Sequence, residues 1–210
     1  MTQQFASIGT KTISVFYESD RFIREVLRDN EYADIFNDLV VMDVGANIGA
    51  FSFWIYDRAR VIYAIEPAQQ NINCLRETIK QNDLSKIKPF CMGISGNGGM
   101  REFDTSSEAS SGAWKMDLHP FPSTSLSLIQ TKTISEFMRD EKIECVDILK
   151  IDVEGAEKEI FESESFKEVC LKIKNIIGEY HGYDPVEDLT LCGYEVRMIQ
   201  DHSKFIARRI

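Results

Sequence analysis

The stretch LVVMDVGANIGAFS, residues 39–52, decides the fold of this chain. Its first part is a short apolar run ending at Asp43 and Gly45, which is typical of a parallel strand buried on both faces. Gly45 permits a sharp turn, because glycine has no Cβ to clash at positive φ. The pattern of residues 48–58 is that of a helix. We therefore predict a strand, a tight turn and a helix in succession.

Further apolar runs follow this unit and alternate with helical patterns. The predicted strands are 61–65, 88–94, 146–151 and 175–180. Strands alternating with helices indicate an α/β fold, a doubly wound and mostly parallel sheet with helices on both faces. Two runs, 194–199 and 204–209, flank a polar turn and predict a terminal antiparallel hairpin.

Several helix starts are predicted from capping patterns. Pro67 suits the first helical position, where its missing N–H is harmless. Thr133 with Glu136 forms a capping box, and Ser165 with Glu168 suggests another helix start.

The two irregular parts of the chain are its beginning and residues 95–125. We predict a lead segment, 1–38, with a strand at Thr12–Phe16 and an amphipathic lead helix, before a single domain at 39–210. Residues 95–125 are rich in Ser and Gly, with a short edge strand expected at 101–105. Such a segment is either a lid or substrate loop or a partly disordered surface insertion, and both interpretations stay open.

Composition narrows the function classes. The chain has 210 residues, and 24 basic against 34 acidic side chains give a net charge of −10, which repels nucleic acids. No apolar run approaches the ~20 residues of a membrane-spanning helix. The 5 cysteines are odd in number and contain no CxxC pair, which argues against zinc sites and disulfides. We expect a cytoplasmic protein that binds neither nucleic acid nor membrane and has no dedicated metal site.

The turn after the first strand has the features of a ligand loop. A phosphate-binding loop of the kind that holds nucleoside triphosphates ends in Gly-Lys-Ser/Thr, and a dinucleotide-binding loop has the pattern GxGxxG. This chain instead has GxxxG, at Gly45 and Gly49. The acid Asp43 at its head suits the zwitterionic methionine end of S-adenosylmethionine. Glu66, which ends the second strand, can accept hydrogen bonds from both ribose hydroxyls. The alternatives are a tight turn without ligand and an exposed charge at a strand end.

Four titratable residues follow the fourth and fifth strands. Asp152 and Glu154 leave the fourth strand, and Glu179 and His181 leave the fifth. Ligands bind at the carboxyl edge of open α/β sheets, so this cluster can supply a general base or bind Mg²⁺. Alternatively, Glu154 and Glu157 merely favour a helix N-terminus.

Four motifs, DVGANIGAFS (43–52), AIEP (64–67), LKIDVEGAE (149–157) and GEYH (178–181), together resemble the FkbM family of S-adenosylmethionine-dependent methyltransferases. The resemblance implies seven strands in the order 3-2-1-4-5-7-6, with strand seven antiparallel. It implies that Glu66 holds the ribose, that Gly93 and Ile94 end strand three beside the adenine, and that Asp152 faces the sulfonium. The cofactor-binding residues expected in full are Asp43, Gly45, Ala46, Asn47, Gly49, Glu66, Pro67, Gly93, Ile94 and Asp152.

The activity that this resemblance implies is methylation of a hydroxyl on a sugar or other small metabolite. We expect His181 or Glu154 to take the hydroxyl proton, with Glu179 as a third catalytic candidate. Two other functions stay open: a cofactor-binding module without catalysis, and a nicotinamide-dependent oxidoreductase, which the glycine spacing disfavours.

Overall fold

The computed structural model describes residues 4–8, 11–15, 38–104, 126–199 and 204–210. The chain divides into two compact units, residues 1–91 and residues 92–210. The lead helix expected before residue 38 lies outside the described residues, and the boundary between 1–38 and 39–210 stays a prediction.

The first unit holds five described strands and two helices. A hairpin of β1 (Gln4–Ile8) and β2 (Lys11–Val15) comes first. It is followed by β3 (Leu39–Val44), α1 (Ala50–Ile55), a 3-10 turn (Tyr56–Arg58), β4 (Ala59–Ile65), α2 (Gln69–Gln81) and β5 (Ile87–Phe90). The strands β3, β4 and β5 pair in parallel. Every residue of β3 is buried, which explains its unbroken apolar sequence.

The second unit holds seven described strands and four helices. Its elements are β6 (Gly93–Ile94), β7 (Gly99–Asp104), β8 (Leu126–Lys132), α3 (Ile134–Asp140), β9 (Val146–Ile151), α4 (Glu157–Glu162), α5 (Glu164–Val169), a 3-10 turn (Cys170–Lys172), β10 (Ile173–Glu179), α6 (Val186–Leu191), β11 (Tyr194–Ile199) and β12 (Lys204–Arg209). Its core includes Phe161, whose ring meets Phe166 and Phe205 edge-on at centroid distances of 5.1 and 6.1 Å.

Seven strands form one sheet in the order β5-β4-β3-β9-β10-β12-β11. Numbered along the chain, these strands follow the predicted order 3-2-1-4-5-7-6. The strand β12 runs antiparallel to both β10 and β11, while β9 and β10 are parallel. The predicted α/β class, strand order and terminal hairpin are therefore confirmed.

A second sheet, of the order β6-β8-β7, corrects the predicted third strand at 88–94. The strand β5 ends at Phe90, opposite Ile65 at the end of β4, so it has no parallel partner beyond that point. Gly93 and Ile94 instead form β6, where Gly93 pairs with Thr131 of β8. A Cβ on Gly93 would lie 3.0 Å from Thr131 Cγ2, which fits a glycine at this close contact.

Two predicted helix starts are also wrong. The helix α2 begins at Gln69, with Ala68 as its N-cap, so Pro67 lies outside it. The helix α5 is capped by Ser163, whose extended backbone lets its Oγ accept from Phe166 N at 3.1 Å. Ser165 instead contacts Ser135, with 2.7 Å between their Oγ atoms.

Other local predictions hold. The capping box of Thr133 and Glu136 opens α3. The edge strand expected at 101–105 is β7, and residues 105–125 lie outside the described part. No helix among the described residues is long and apolar enough to cross a membrane.

Candidate functional site

The loop between β3 and α1 is a tight turn fastened to the end of β4. Gly45, Asn47 and Gly49 adopt positive φ values of 76°, 51° and 95°. The amides of Gly45 and Ala46 both donate to the carbonyl oxygen of Ile65 at 3.0 Å. The backbone amides of the loop therefore fix it to the end of β4.

Glu66, at the carboxyl end of β4, is nearly buried, with 4% of its surface exposed. Its Oε2 accepts from the Asn47 amide at 2.9 Å, and its Oε1 accepts from the Ala68 amide at 2.9 Å. The buried Asn71 of α2 contributes a longer contact, 3.4 Å from Nδ2 to Oε1. One carboxylate thus connects the loop after β3 to the start of α2.

Asp43, at the end of β3, is completely buried, and its Oδ2 accepts from the Ser52 hydroxyl of α1 at 2.6 Å. Gly49 has a packing role, because a Cβ there would lie 2.5 Å from Leu75 Cδ1 and 2.9 Å from the Phe53 ring. The absence of a side chain at Gly49 therefore lets α1 approach α2. Whether these residues also touch a cofactor stays a prediction.

The other expected cofactor residues are placed as follows. Ala46 is buried and Pro67 is half-buried in the first unit, whereas Gly93 and Ile94 are buried in β6 of the second unit. The residue that follows the true end of strand three is Cys91, which is exposed. Its Sγ lies 3.4 Å from Gln69 Oε1, so the thiol is next to the start of α2.

In the second unit, a second turn follows β9. Glu154 and Gly155 adopt positive φ values of 54° and 111°. The carboxylate of Glu157, which is fully buried, accepts from Val153 N at 3.1 Å and from Gly155 N at 2.9 Å. The turn therefore folds around a carboxylate supplied by the first residue of α4.

His181, just after β10, lies between two carboxylates. Its Nδ1 is 3.0 Å from Glu157 Oε1, and its Nε2 is 3.4 Å from Glu154 Oε2. The hydrogen bond to Glu157, helped by the charges of Glu157, Glu154 and Asp152 and opposed by burial, raises the pKa of His181 to about 9. The ring is therefore an imidazolium at neutral pH.

The same surroundings perturb Glu154. Burial raises the pKa of Glu154 to about 7, with His181 opposing the rise and the neighbouring charges of Asp152, Glu179 and Glu157 adding to it. A carboxyl group that titrates near neutrality can accept a proton and release it again. The predicted residues Asp152, Glu154, Glu179 and His181 thus lie close enough together in the second unit for their charges to interact.

A cation could in principle use part of this cluster. Ligand atoms of Asp152, Glu157 and His181 lie within 4.8 Å of one another. However, Glu157 already accepts two backbone N–H groups, and Lys150 Nζ lies 3.6 Å from Asp152 Oδ2. These contacts compete with a metal ion for the carboxylate oxygens of Glu157 and Asp152.

Sequence patterns alone do not predict the contacts of Ser52, Asn71 and Glu157. They assign no role to Ser52 or Asn71, and they indicate for Glu157 only that it favours a helix start. Ser52 lies within DVGANIGAFS and Glu157 ends LKIDVEGAE, so both belong to motifs that the sequence analysis quotes. Asn71 carries no motif signal, because its role depends on burial against Glu66.

The FkbM methyltransferase domain matches residues 43–202, which is well over half of the chain. The chain belongs to the FkbM methyltransferase family. This FkbM methyltransferase is 27% identical to the methyltransferase sdnD of Sordaria araneosa, with 68% of each chain covered. It is 28% identical to the hexuronic acid methyltransferase AglP of Haloferax volcanii, covering 87% of this chain and 70% of the relative.

The fold has a counterpart of known structure. The crystal structure of methyltransferase FkbM from Methylobacillus flagellatus KT matches with a TM-score of 0.56 and 17% identity, covering 83% of this chain. The match covers 44% of that chain, so this FkbM methyltransferase spans less than half of its length. At this identity the likeness shows the fold alone.

Proposed function

We propose that this FkbM methyltransferase uses S-adenosylmethionine to methylate a hydroxyl group of a small metabolite or sugar. The observation that carries the proposal is the Glu154 carboxylate beside His181, because burial raises the pKa of Glu154 to about 7 and so makes it a proton acceptor near neutral pH. A hydroxyl nucleophile needs such an acceptor, whereas a carboxylate is already deprotonated at that pH.

The first unit offers groups that fit the cofactor. Glu66 is a carboxylate at the end of β4 that accepts from the Asn47 and Ala68 amides and from Asn71 Nδ2, and we propose that it also accepts from the ribose. Asp43, Gly45 and Asn47 belong to the turn that would hold the methionine end. When bound, S-adenosylmethionine supplies an electrophilic methyl group.

The second unit offers the groups that handle the acceptor. Glu154 removes the hydroxyl proton, and the imidazolium of His181 holds the Glu154 carboxylate in place. His181 itself is a poor base in this state, because it already carries its proton at neutral pH. Of the three expected catalytic residues, Glu154 is therefore the proposed base, and Glu179 contributes negative charge beside it.

The net charge of the chain and the name of one relative bear on the class of methyl acceptor. The net charge of −10 and the carboxylates around His181 disfavour an anionic polymer such as a nucleic acid. AglP is named for a hexuronic acid, a sugar that offers both hydroxyl groups and a carboxylate. Because only the hydroxyl needs the proton acceptor that Glu154 provides, we propose a neutral hydroxyl rather than an acid group as the methylated position.

A product analysis with hexuronic acid as the probe tests this choice. The protein is incubated with methyl-labelled S-adenosylmethionine and either the hexuronic acid or its methyl ester, whose acid group is blocked. We expect label on both acceptors as a methyl ether, which survives mild alkali. Label that mild alkali releases as methanol, and that is absent from the blocked acceptor, would show acid methylation and contradict the proposal.

The matched variants are Glu154→Gln and Glu144→Gln. Glu144 is exposed and lies before β9, outside the cluster. Glu154→Gln should lower turnover at least ~100-fold, as expected for loss of a general base, while Glu144→Gln should leave it unchanged. Equal turnover in both variants would remove Glu154 from the mechanism.

A further inference from the structure

Among the acids that the structure describes in the second unit, Glu157 is the most completely enclosed. Its side chain has no exposed surface, and Oε2 accepts from the Gly155 amide at 2.9 Å. Its Oε1 accepts from Val153 N at 3.1 Å and lies 3.0 Å from His181 Nδ1. A single carboxylate therefore holds both the turn after β9 and the residue that follows β10.

The contacts of this carboxylate fix the orientation of the imidazole ring. Because Glu157 Oε1 accepts a hydrogen bond from the Nδ1–H group, the opposite ring nitrogen, Nε2, points toward Glu154 Oε2 at 3.4 Å. The same carboxylate keeps Glu154 in its left-handed conformation, with a φ of 54°. The relative positions of His181 and Glu154 therefore both depend on Glu157.

The other charged groups around the ring are consistent with this arrangement. Asp152 and Glu154 face His181 from the turn after β9, Glu157 faces it from α4, and Glu179 at the end of β10 faces Glu154. Lys150 Nζ lies 3.6 Å from Asp152 Oδ2 and offsets part of that negative charge. Glu157 is the partner with the shortest contact to the ring.

We infer that Glu157 is a positioning residue of the acceptor site, which acts by holding the His181 ring in its orientation beside Glu154. This inference rests on the proposed function for its catalytic consequence, because Glu157 itself is enclosed and does not reach a substrate. In sequence terms, the last acid of LKIDVEGAE orients the histidine of GEYH.

The first test is a pH titration of His181 in the wild type and in Glu157→Gln, monitored by NMR of the ring nitrogens. We expect the wild-type pKa near 9 and a value at least about one unit lower in Glu157→Gln, because the charged acceptor at Nδ1 is lost. Glu162→Gln is the matched control, since Glu162 lies on the same helix and is exposed. An unchanged His181 pKa in Glu157→Gln would overturn the inference, whether or not methyl transfer is observed.

The second test is a double-mutant cycle of methyl transfer with Glu157→Gln and His181→Gln. If Glu157 acts through His181, each single variant lowers kcat at least about tenfold with the KM for S-adenosylmethionine unchanged, and the double variant is no slower than His181→Gln alone. Multiplied losses in the double variant would show that Glu157 merely supports the turn. Absence of methyl transfer in the wild type would contradict the proposed function, and the His181 titration would still decide the positioning role.

A conservative variant provides a further test for the case in which Glu157→Gln does not fold. If Glu157→Gln fails to fold, Glu157→Asp keeps the charge but shortens the side chain by one methylene. We expect Glu157→Asp to fold and to show a His181 pKa between that of the wild type and its ordinary value of 6.5. A folded Glu157→Asp with wild-type kcat and a wild-type His181 pKa would contradict the inference.

Discussion

Glu66 Oε2 accepts a hydrogen bond from the Asn47 amide at 2.9 Å, so the acid that ends β4 also holds the loop that follows β3. The carboxylate proposed for the ribose is therefore also a structural contact of the loop after β3. Loss of cofactor binding in a Glu66 variant has two possible causes, loss of the ribose contact and loosening of the loop.

The ribose role is tested with S-adenosylhomocysteine and its 2′-deoxy analogue. In the wild type we expect the deoxy analogue to bind at least ~10-fold more weakly, because a hydrogen bond to a charged group contributes about 1.5–3 kcal/mol. In Glu66→Gln that difference should shrink, and in the control Glu77→Gln, an exposed position of α2, it should persist. Calorimetry measures both affinities, and an undiminished difference in Glu66→Gln would refute the ribose contact.

The pH dependence of turnover follows from the Glu154 and His181 pair. The proposed mechanism requires Glu154 to be deprotonated and His181 to be protonated, and their pKa values are raised to about 7 and about 9. We expect kcat/KM to rise through about pH 7 and to fall above about pH 9, which initial rates from about pH 5.5 to about pH 10 will show. A profile that is flat across neutral pH would be inconsistent with this pair.

The same pair makes the folded state pH-dependent. The pKa of His181 is raised from 6.5 to about 9, so its contribution to the free energy of unfolding is full below pH 6.5 and is lost as pH rises through 9. The raised pKa of Glu154 acts in the same direction between 4.5 and about 7. We expect the stability difference between wild type and His181→Gln, from urea unfolding, to shrink as pH rises from 6.5 toward 9. A stability difference that grows as pH rises from 6.5 toward 9 would contradict the raised pKa of His181.

The packing of β10 against β12 gives a test of the fold. Gly178 is paired with Phe205, and a Cβ on Gly178 would lie 2.4 Å from the Phe205 ring. Gly178→Ala should therefore destabilise the protein by about 1–3 kcal/mol in urea unfolding, and adding Phe205→Leu should recover part of that loss. If Gly178→Ala is as stable as the wild type, the antiparallel placement of β12 is contradicted.

Sequence patterns predict most of the main sheet, for physical reasons visible in individual strands. The strand β3 is buried along its whole length, so its residues are uniformly apolar and easily recognised. The terminal hairpin alternates around a polar turn, which is also a strong local signal. By contrast, β6 has only two residues, and its pairing with Thr131 is made across 38 residues of chain that no local pattern encodes.

The candidate site is only partly visible in the sequence for a similar reason. The motifs identify Asp43, Glu66, Glu154 and His181 because these residues lie in or just after the ends of recognisable strands. They do not reveal that Glu157 faces inward, since an acid in the first turn of a helix is equally favourable when exposed. Three-dimensional contacts with Val153, Gly155 and His181 distinguish the two cases.

Calorimetric titration with S-adenosylhomocysteine tests the cofactor assignment most directly. We predict one molecule bound per chain, loss of binding in Glu66→Ala, and no heat with NAD under the same conditions. A folded wild-type protein that binds no S-adenosylhomocysteine, or that binds NAD instead, would contradict the assignment and leave only the fold standing.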